Sequence, residues 1–217
     1  MTDPQFNFYE CENPACGLRF PGQEGAPRWN RCPLCRSNTH IVAEVNSHSA
    51  PKLQEEARKT RQVEALLDNL RSAWNVGSIF RTSDGLGIAK IHLCGISPTP
   101  DNPKLYKTAL GAELSLPWEH HNNGVKLAQD LKSRGYLLWA LEDIPGAIPI
   151  YQADFAEAHI PLVLVVGNEM CGVDPGILEQ CQRIISIPML GIKRSYNVAI
   201  AFAIAASYVL NKIEATE

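Results

Sequence analysis

From residue 63 onward the chain alternates short apolar runs with longer segments of helical pattern. The runs are nearly continuous and partly β-branched, which is typical of strands buried on both faces of a sheet. The predicted strands are 63–67, 91–94, 136–141, 161–166 and 184–187. The predicted helices fall at about 76–86, 124–134, 175–182 and 198–210. This alternation predicts an α/β domain with a mainly parallel sheet.

Residues 1–48 differ from the rest because they contain four of the seven cysteines and few aliphatic runs. So short a stretch cannot close a core unaided. The cysteines form two close pairs, Cys11 with Cys16 and Cys32 with Cys35. Two such pairs are typical of a zinc ribbon, in which each turn supplies two thiolates to a tetrahedral ion that replaces the missing core. We therefore predict a zinc-ribbon-like module over 1–48, with these four cysteines as ligands.

Other interpretations of this segment remain open. The four cysteines could be unrelated thiols. Cys32 and Cys35 could instead be a redox pair, although no βαβ pattern surrounds them and the other two cysteines would then be unexplained. His40 and His48 could also serve as ligands. Residues 49–62 are charged and rich in helix formers, which predicts a linker helix before a domain over 63–217.

Charge and hydropathy limit the kinds of partner. The chain has 20 Lys+Arg, 23 Asp+Glu, a net charge of −3 and 45% hydrophobic residues, which argues against disorder. No segment is strongly basic, so a nucleic acid would have to bind a local patch. No apolar run reaches the length of a membrane span, and the first residues lack the features of a secretory signal. We therefore expect a cytoplasmic protein with no membrane partner.

Three turns combine glycine with polar side chains near the predicted ends of strands, where parallel α/β folds bind their ligands. The sets are Asn75, Gly77 and Arg81; Gly167, Glu169 and Gly172; and Ile187, Met189, Ser195, Tyr196 and Asn197. Each set alone is also what an ordinary capped helix or strand-to-helix turn would show, with Asn75 as a plausible N-cap. The glycine spacing matches neither a dinucleotide fingerprint nor a P-loop, which disfavours a nicotinamide-dependent enzyme.

In order, the three sets resemble motifs of the SpoU (TrmH-like) branch of the SPOUT superfamily. These are RNA 2′-O-ribose methyltransferases that use S-adenosylmethionine. The resemblance spans about 63–210: Asn-x-Gly followed by Arg, then Gly-x-Glu-x-x-Gly, then Ile-Pro-Met followed by Ser-x-Asn-Val. Tyr196 stands where the family commonly has Leu, and the cysteine module lies outside the common family core.

The resemblance implies a fold, a cofactor and an assembly. It implies a C-terminal trefoil knot involving roughly 165–197 and a homodimer whose site is completed across the interface. S-adenosylmethionine would bind in the knot, in a pocket formed by Gly167, Gly172, Ile187, Met189 and Tyr196.

The resemblance also implies catalytic residues and a tRNA or rRNA substrate. Family accounts assign activation of the ribose hydroxyl to the first-motif arginine, here Arg81. Because guanidinium is a poor base, we favour a role in which Arg81 clamps the adjacent phosphate and polarises the 2′-OH. The side chains expected to position the nucleotide and support this arginine are Asn75, Glu169, Ser195 and Asn197.

The role of the cysteine module is open between RNA contact and a structural or protein-docking function. RNA contact would use Arg19, Arg28, Arg31, Arg36 and Trp29. A second class of function is a zinc-containing RNA-binding or assembly protein without methyl transfer. His120 and His121 follow a Pro-Trp turn and are predicted as loop residues without metal geometry nearby.

Overall fold

The computed structural model describes residues 5–45, 63–155 and 161–214. The chain divides into two compact units, Met1–Leu53 and Gln54–Glu217. The predicted linker helix over 49–62 and the candidate ligand His48 lie outside the described residues.

The smaller unit contains a three-stranded antiparallel sheet with strand order β2-β1-β3. Its strands are β1 (Phe6–Cys11), β2 (Arg19–Gln23) and β3 (Thr39–Glu44), and a 3-10 turn covers Pro27–Asn30. Few apolar side chains are buried here. The described core consists mainly of Tyr9, Cys11 and Cys32, with Phe20 stacked on Tyr9. Such a core is too small to hold a fold without a further cross-link.

The larger unit is built on a seven-stranded sheet with order β6-β5-β4-β9-β7-β10-β8, in which every described pairing is parallel. The strands are β4 (Val63–Asp68), β5 (Ile91–Cys94), β6 (Trp118–His121), β7 (Leu137–Leu141), β8 (Ile148–Pro149), β9 (Leu162–Val166) and β10 (Arg183–Ser186). The helices are α1 (Ala73–Leu86), α2 (Tyr106–Ala109), α3 (Ala112–Ser115), α4 (Gly124–Ser133), α5 (Pro175–Leu178) and α6 (Val198–Glu214).

Helices cover both faces of this sheet, as the continuous apolar strands predict. Every residue of β9 is buried. One apolar cluster packs α1 and α6 against the sheet, with Phe80 and Phe202 fully buried. A second cluster packs α4 and α5 against the other face, where Leu131 and Ile177 are buried. The predicted α/β fold with a mainly parallel sheet is therefore confirmed.

Several local predictions need correction. The five predicted strands exist with ends within one residue of those expected, but β6 and β8 were not predicted. β6 reads Trp-Glu-His-His and is only half-buried at the sheet edge, so it lacks the apolar signal of a strand. The helix predicted over 175–182 ends at Leu178. The trefoil knot involving roughly 165–197 stays a prediction.

None of the helices in the described ranges has both the length and the apolar character needed to span a bilayer.

Candidate functional site

The carboxylate of Glu169 joins the turn after β9 to the start of α1. The backbone N–H of Arg71 donates to Glu169 Oε2 at 2.9 Å, and the N–H of Ser72 donates to Oε1 at 3.2 Å. Asn75 Nδ2 also donates to Oε1, at 2.9 Å. The parallel pairing of β4 with β9 brings these turns together at one edge of the sheet. Glu169 therefore satisfies donors at the entry of α1.

The same contacts set the charge state of Glu169. Partial burial favours the neutral acid, but the hydrogen bonds from Arg71, Asn75 and Ser72 outweigh it, and the pKa of Glu169 lies below its ordinary value. The side chain is therefore a carboxylate at neutral pH. A fixed negative charge at this position attracts a cationic ligand.

Asn75 links the three predicted motifs through its side-chain amide. Its Nδ2 donates to Glu169, and its Oδ1 accepts a hydrogen bond from Asn197 Nδ2 at 3.1 Å. The prediction that Asn75 is an N-cap was wrong. Ser72 is the N-cap of α1, and its Oγ accepts from the Asn75 N–H. The Asn75 side chain consequently bridges the other two motifs instead of capping the helix.

Asn197 completes this bridge and immediately precedes the last helix, α6. Its Oδ1 accepts a hydrogen bond from the Ala199 N–H at 3.0 Å, which is a capping contact. One amide therefore caps α6 while its other end binds Asn75. The sequence left open whether Asn197 caps a helix or belongs to a functional site, and its contacts are compatible with both roles.

A cavity of about 560 Å³ opens beyond the carboxyl ends of β7, β9 and β10. Its volume is in the range of small-molecule sites. The predicted site residues that line it are Gly167, Glu169, Gly172, Ile187, Met189, Ser195, Tyr196 and Asn197. Apolar atoms of Val166, Val198 and Ala201 form further wall. The predicted cofactor-binding residues thus share one cavity.

Close backbone packing explains the two glycines of the second motif. A Cβ on Gly167 would overlap the backbone of Gly172 and Val173. Gly172 has φ +75°, a conformation that favours glycine, and its backbone exchanges two 2.9 Å hydrogen bonds with that of Asn168. These glycines shape the turn at the cavity wall.

Two carboxylates in the cavity wall, Glu142 and Asp143, were missed by the sequence analysis. They come directly after β7, so the rule that ligands bind beyond strand ends could have found them. Glu142 Oε2 accepts a hydrogen bond from the Val173 N–H at 3.0 Å. With Glu169 they give the wall three acidic side chains against one basic residue, Arg194. The cavity therefore favours a ligand that carries positive charge.

The buried carboxylate of Asp68 binds the backbone of the turn that follows β9. Asp68 ends β4 and is 2% exposed, and its Oδ2 accepts a hydrogen bond from the Asp174 N–H at 2.8 Å. Burial raises the pKa of Asp68 above its ordinary value, against the opposing effect of that hydrogen bond. This residue was also missed, because a lone Asp at the end of a strand carries no distinctive sequence signal.

Arg81 and Gly77 lie outside the cavity. Arg81 is exposed on α1, six residues after Asn75, which places it about 9 Å along the helix axis. Gly77 faces α2, where a Cβ would overlap the carbonyl oxygen of Leu105 and the hydroxyl of Thr108. The glycine of the first motif thus allows two helices to approach closely.

The four predicted zinc ligands converge in the smaller unit. All four sulfur atoms lie within 4.8 Å of one another. Cys11 Sγ is 3.3 Å from Cys35 Sγ, and Cys16 Sγ is 3.8 Å from Cys32 Sγ. Tetrahedral zinc with Zn–S bonds of about 2.3 Å places sulfurs about 3.8 Å apart. The donor set therefore fits one zinc ion.

Trp29, which the sequence analysis offered for RNA contact, packs within the smaller unit. Its ring contacts Phe20 at a centroid distance of 5.8 Å, and the guanidinium of Arg28 lies 4.4 Å from its centroid. A Cβ on Gly22 would approach the same ring within 3 Å. Arg28 and the other predicted RNA-contacting arginines, Arg19, Arg31 and Arg36, are exposed.

Comparison with known proteins finds similarity to RNA methyltransferases. The chain is 29% identical over 152 residues to a tRNA (guanosine(18)-2′-O)-methyltransferase of Thermus thermophilus, covering 69% of this chain and 76% of that protein. It is 29% identical to the 23S rRNA (guanosine(2553)-2′-O)-methyltransferase of Bacillus subtilis, covering 70% of this chain and 59% of that protein.

Solved structures share the fold. The AdoMet-bound rRNA methyltransferase from Sinorhizobium meliloti superposes with a TM-score of 0.65 at 24% identity, covering 70% of this chain and 56% of that chain. The sequence profile of the SpoU rRNA Methylase family matches residues 62–207, which is more than half of the chain. The chain therefore belongs to the SpoU rRNA Methylase family of RNA methyltransferases.

Proposed function

We propose that this protein transfers a methyl group from S-adenosylmethionine to a ribose 2′-OH in tRNA or rRNA. The observation that carries the proposal is the convergence of the three motifs: Asn75 binds both Glu169 and Asn197 at the edge of a ligand-sized cavity. The names of the relatives support the reaction and include both classes of RNA.

The cavity fits S-adenosylmethionine in size and charge. A volume of about 560 Å³ accommodates a nucleoside with an amino-acid side chain. The sulfonium and ammonium groups of this cofactor are cationic, and Glu142, Asp143 and Glu169 make the wall acidic. Gly167, Ile187 and Tyr196 would hold the adenosine, with Gly172 and Met189 beside them. When bound, the cofactor supplies an electrophilic methyl group.

The protein side chains would align the ribose and exclude water, because in-line methyl transfer depends on the positions of the reacting atoms. Glu169, Asn75 and Asn197 fix the entry of α1 relative to α6, and Ser195 lies beside them in the wall. Arg81 would bind the phosphate next to the target ribose and polarise the hydroxyl. Its position outside the cavity suits contact with the RNA backbone.

A homodimer would bring further residues to this site. Exposed apolar side chains occur on α1, α2, α3 and α6 and beside them, and α1 packs against the other three. They are Trp74, Tyr106, Leu110, Leu114 and Ile200. An apolar surface of this kind favours a second protein copy. Leu114→Glu should convert a dimer to a monomer in sedimentation analysis, and a wild-type monomer would contradict this part of the proposal.

The smaller unit would be a zinc-ribbon-like module held by Cys11, Cys16, Cys32 and Cys35, with zinc acting structurally in place of a core. RNA contact would fall to its exposed arginines. Binding of RNA by the full chain should weaken when Arg31 and Arg36 are changed to Glu, while binding of S-adenosylmethionine stays the same. Unchanged RNA binding would assign the module a structural or protein-docking function instead.

The test of the proposed reaction is tritium transfer from labelled S-adenosylmethionine to separate tRNA and rRNA fractions, followed by mapping of the labelled nucleotide. We expect label on one ribose, and none when that nucleotide carries a 2′-hydrogen. Arg81→Ala and Arg81→Lys should reduce turnover without weakening binding of the cofactor. RNA binding without transfer to either fraction would favour a zinc-containing RNA-binding or assembly protein.

A further inference from the structure

A second group of potential metal ligands lies on the larger unit, away from the candidate cavity. His92 on β5 and Glu119 and His121 on β6 place their ligand atoms within 4.8 Å of one another. The prediction that His120 and His121 are loop residues was wrong, because both lie in the edge strand β6. The prediction that nothing nearby supplies metal geometry was wrong for His121, which lies beside two other potential ligands. The pairing of β5 with β6 brings these side chains together.

The two imidazoles are spaced as a shared ion would require. His92 Nδ1 lies 3.2 Å from His121 Nε2. Zinc bonded to two nitrogens at about 2.0–2.1 Å in a tetrahedron separates them by about 3.4 Å. Glu119 Oε2 lies 3.6 Å from His121 Nε2, so a carboxylate oxygen is close enough to serve as a third ligand.

A buried carboxylate orients the central histidine. Glu64 Oε2 is 2.7 Å from His92 Nε2, and the Tyr136 hydroxyl donates to Glu64 Oε1 at 3.2 Å. When Nε2–H donates to Glu64, the lone pair of neutral His92 lies on Nδ1, the nitrogen that faces His121. Metal-binding histidines commonly have a carboxylate partner of this kind. His92 is 3% exposed, so this orientation is held by packing.

The other carboxylate is also partly held in place. Lys90 Nζ contacts Glu119 Oε1 at 2.8 Å, while Glu119 Oε2 faces His121. Lys90 therefore fixes the carboxylate, although its positive charge opposes a cation.

The cluster does not belong to the cavity. The three proposed ligands lie on β5 and β6, at one end of the strand order, and none of them lines the cavity. The cavity opens beyond the carboxyl ends of β7, β9 and β10.

We propose that His92, Glu119 and His121 form a binding site for a divalent transition metal of the zinc class. Imidazole and carboxylate ligands suit such ions. The ion would connect β5 to the edge strand β6, with Glu64 as a positioning residue. This inference does not depend on the proposed methyl transfer.

Metal content of the full-length protein tests the site. After loading with zinc and dialysis, we expect about two zinc ions per wild-type chain, one on the cysteines and one on the histidines. His121→Asn should reduce the content to about one. His120→Asn is the matched control, because the imidazole of His120 bonds to the Gly95 carbonyl oxygen and lies outside the cluster. This variant should retain about two zinc ions.

Cobalt(II) distinguishes the two sites, since thiolate ligands add charge-transfer absorption that imidazole and carboxylate ligands lack. Cys32→Ser should lose that absorption yet keep one bound cobalt. Glu64→Gln should weaken the histidine site about 10–100-fold. Glu119→Gln, changed at a half-exposed position, should weaken it without unfolding the chain. One zinc per wild-type chain, unchanged in His121→Asn and Glu119→Gln, would overturn the proposal.

Discussion

The two units differ in what holds them together. The smaller unit buries few apolar side chains and gathers four cysteine sulfurs within 4.8 Å. The larger unit buries apolar residues on both faces of a seven-stranded sheet. A fold held by the proposed zinc ion would depend on four positions, whereas a packed core distributes its stability over many. The two units should therefore respond differently to the same kind of change.

The largest expected effect is removal of one of the four cysteines that would bind the proposed zinc ion. Cys32→Ser should unfold the smaller unit, because structural zinc contributes about 10–16 kcal/mol of apparent binding free energy in small zinc domains. Amide hydrogen exchange should lose protection over β1 to β3 while the larger unit keeps its protection. The matched control is Cys171→Ser, an exposed cysteine outside the cluster, which should change neither unit. Full protection in Cys32→Ser would contradict a metal-centred fold.

Gly77→Ala probes close packing in the larger unit. The added methyl group would overlap Leu105 and Thr108, so we expect a loss of about 1–3 kcal/mol in the free energy of unfolding. Gly85→Ala lies in the same helix with open space around it and should stabilise by about 0.5–1 kcal/mol. Urea denaturation of both variants measures the difference. Equal stabilities would show that α1 and α2 do not pack closely.

Glu169→Gln probes the candidate site in the larger unit. The amide can accept fewer hydrogen bonds at this position and places a donor near the N–H groups of Arg71 and Ser72. We expect kcat/KM for methyl transfer to fall about tenfold or more, in line with about 1.5–3 kcal/mol for a hydrogen bond to a charged group. Exposed Glu179→Gln is the control and should retain wild-type kinetics. Wild-type kinetics in both would remove Glu169 from the site.

The smallest expected effect is the pH dependence of stability. The pKa of Glu169 is lowered in the folded protein, so its contribution is present above its unfolded value and is lost as pH falls through the folded value. Asp68 has a raised pKa, so its contribution is present below its unfolded value and is lost as pH rises through the folded one. Urea midpoints measure how much more stable the wild type is than each variant. As pH falls through the acid range, this difference should shrink for Glu169→Gln and grow for Asp68→Asn. A change of the same sign in both variants would contradict these assignments.

The sequence was most informative where a pattern has one physical solution. Continuous apolar runs predicted the central strands. The spacing of the cysteines predicted that Cys11, Cys16, Cys32 and Cys35 lie together, as they do in the structure. It was less informative where polar residues acquire partners through the fold. Glu142 contacts Val173 and Asp68 contacts Asp174, and both partners are far away in the chain. No local sequence pattern predicts such contacts.

The edge strand β6 illustrates the same limit. Its polar residues resemble a loop, and only pairing with β5 turns His121 toward His92. Helix geometry also changed the interpretation of the first motif. Six residues along α1 separate Asn75, which binds Glu169, from Arg81, which lies outside the cavity. Two residues of the same sequence motif therefore lie at separate places, Asn75 beside Glu169 and Arg81 farther along α1.

Calorimetry with S-adenosylmethionine tests the central claim most directly, namely that the cavity beyond β7, β9 and β10 holds the methyl donor. The wild-type chain should bind about one cofactor, and Ala201→Phe, which adds a ring to the cavity wall, should abolish binding while the chain remains folded. Absence of binding to the wild-type protein, or equal affinity in the folded Ala201→Phe variant, would contradict the account.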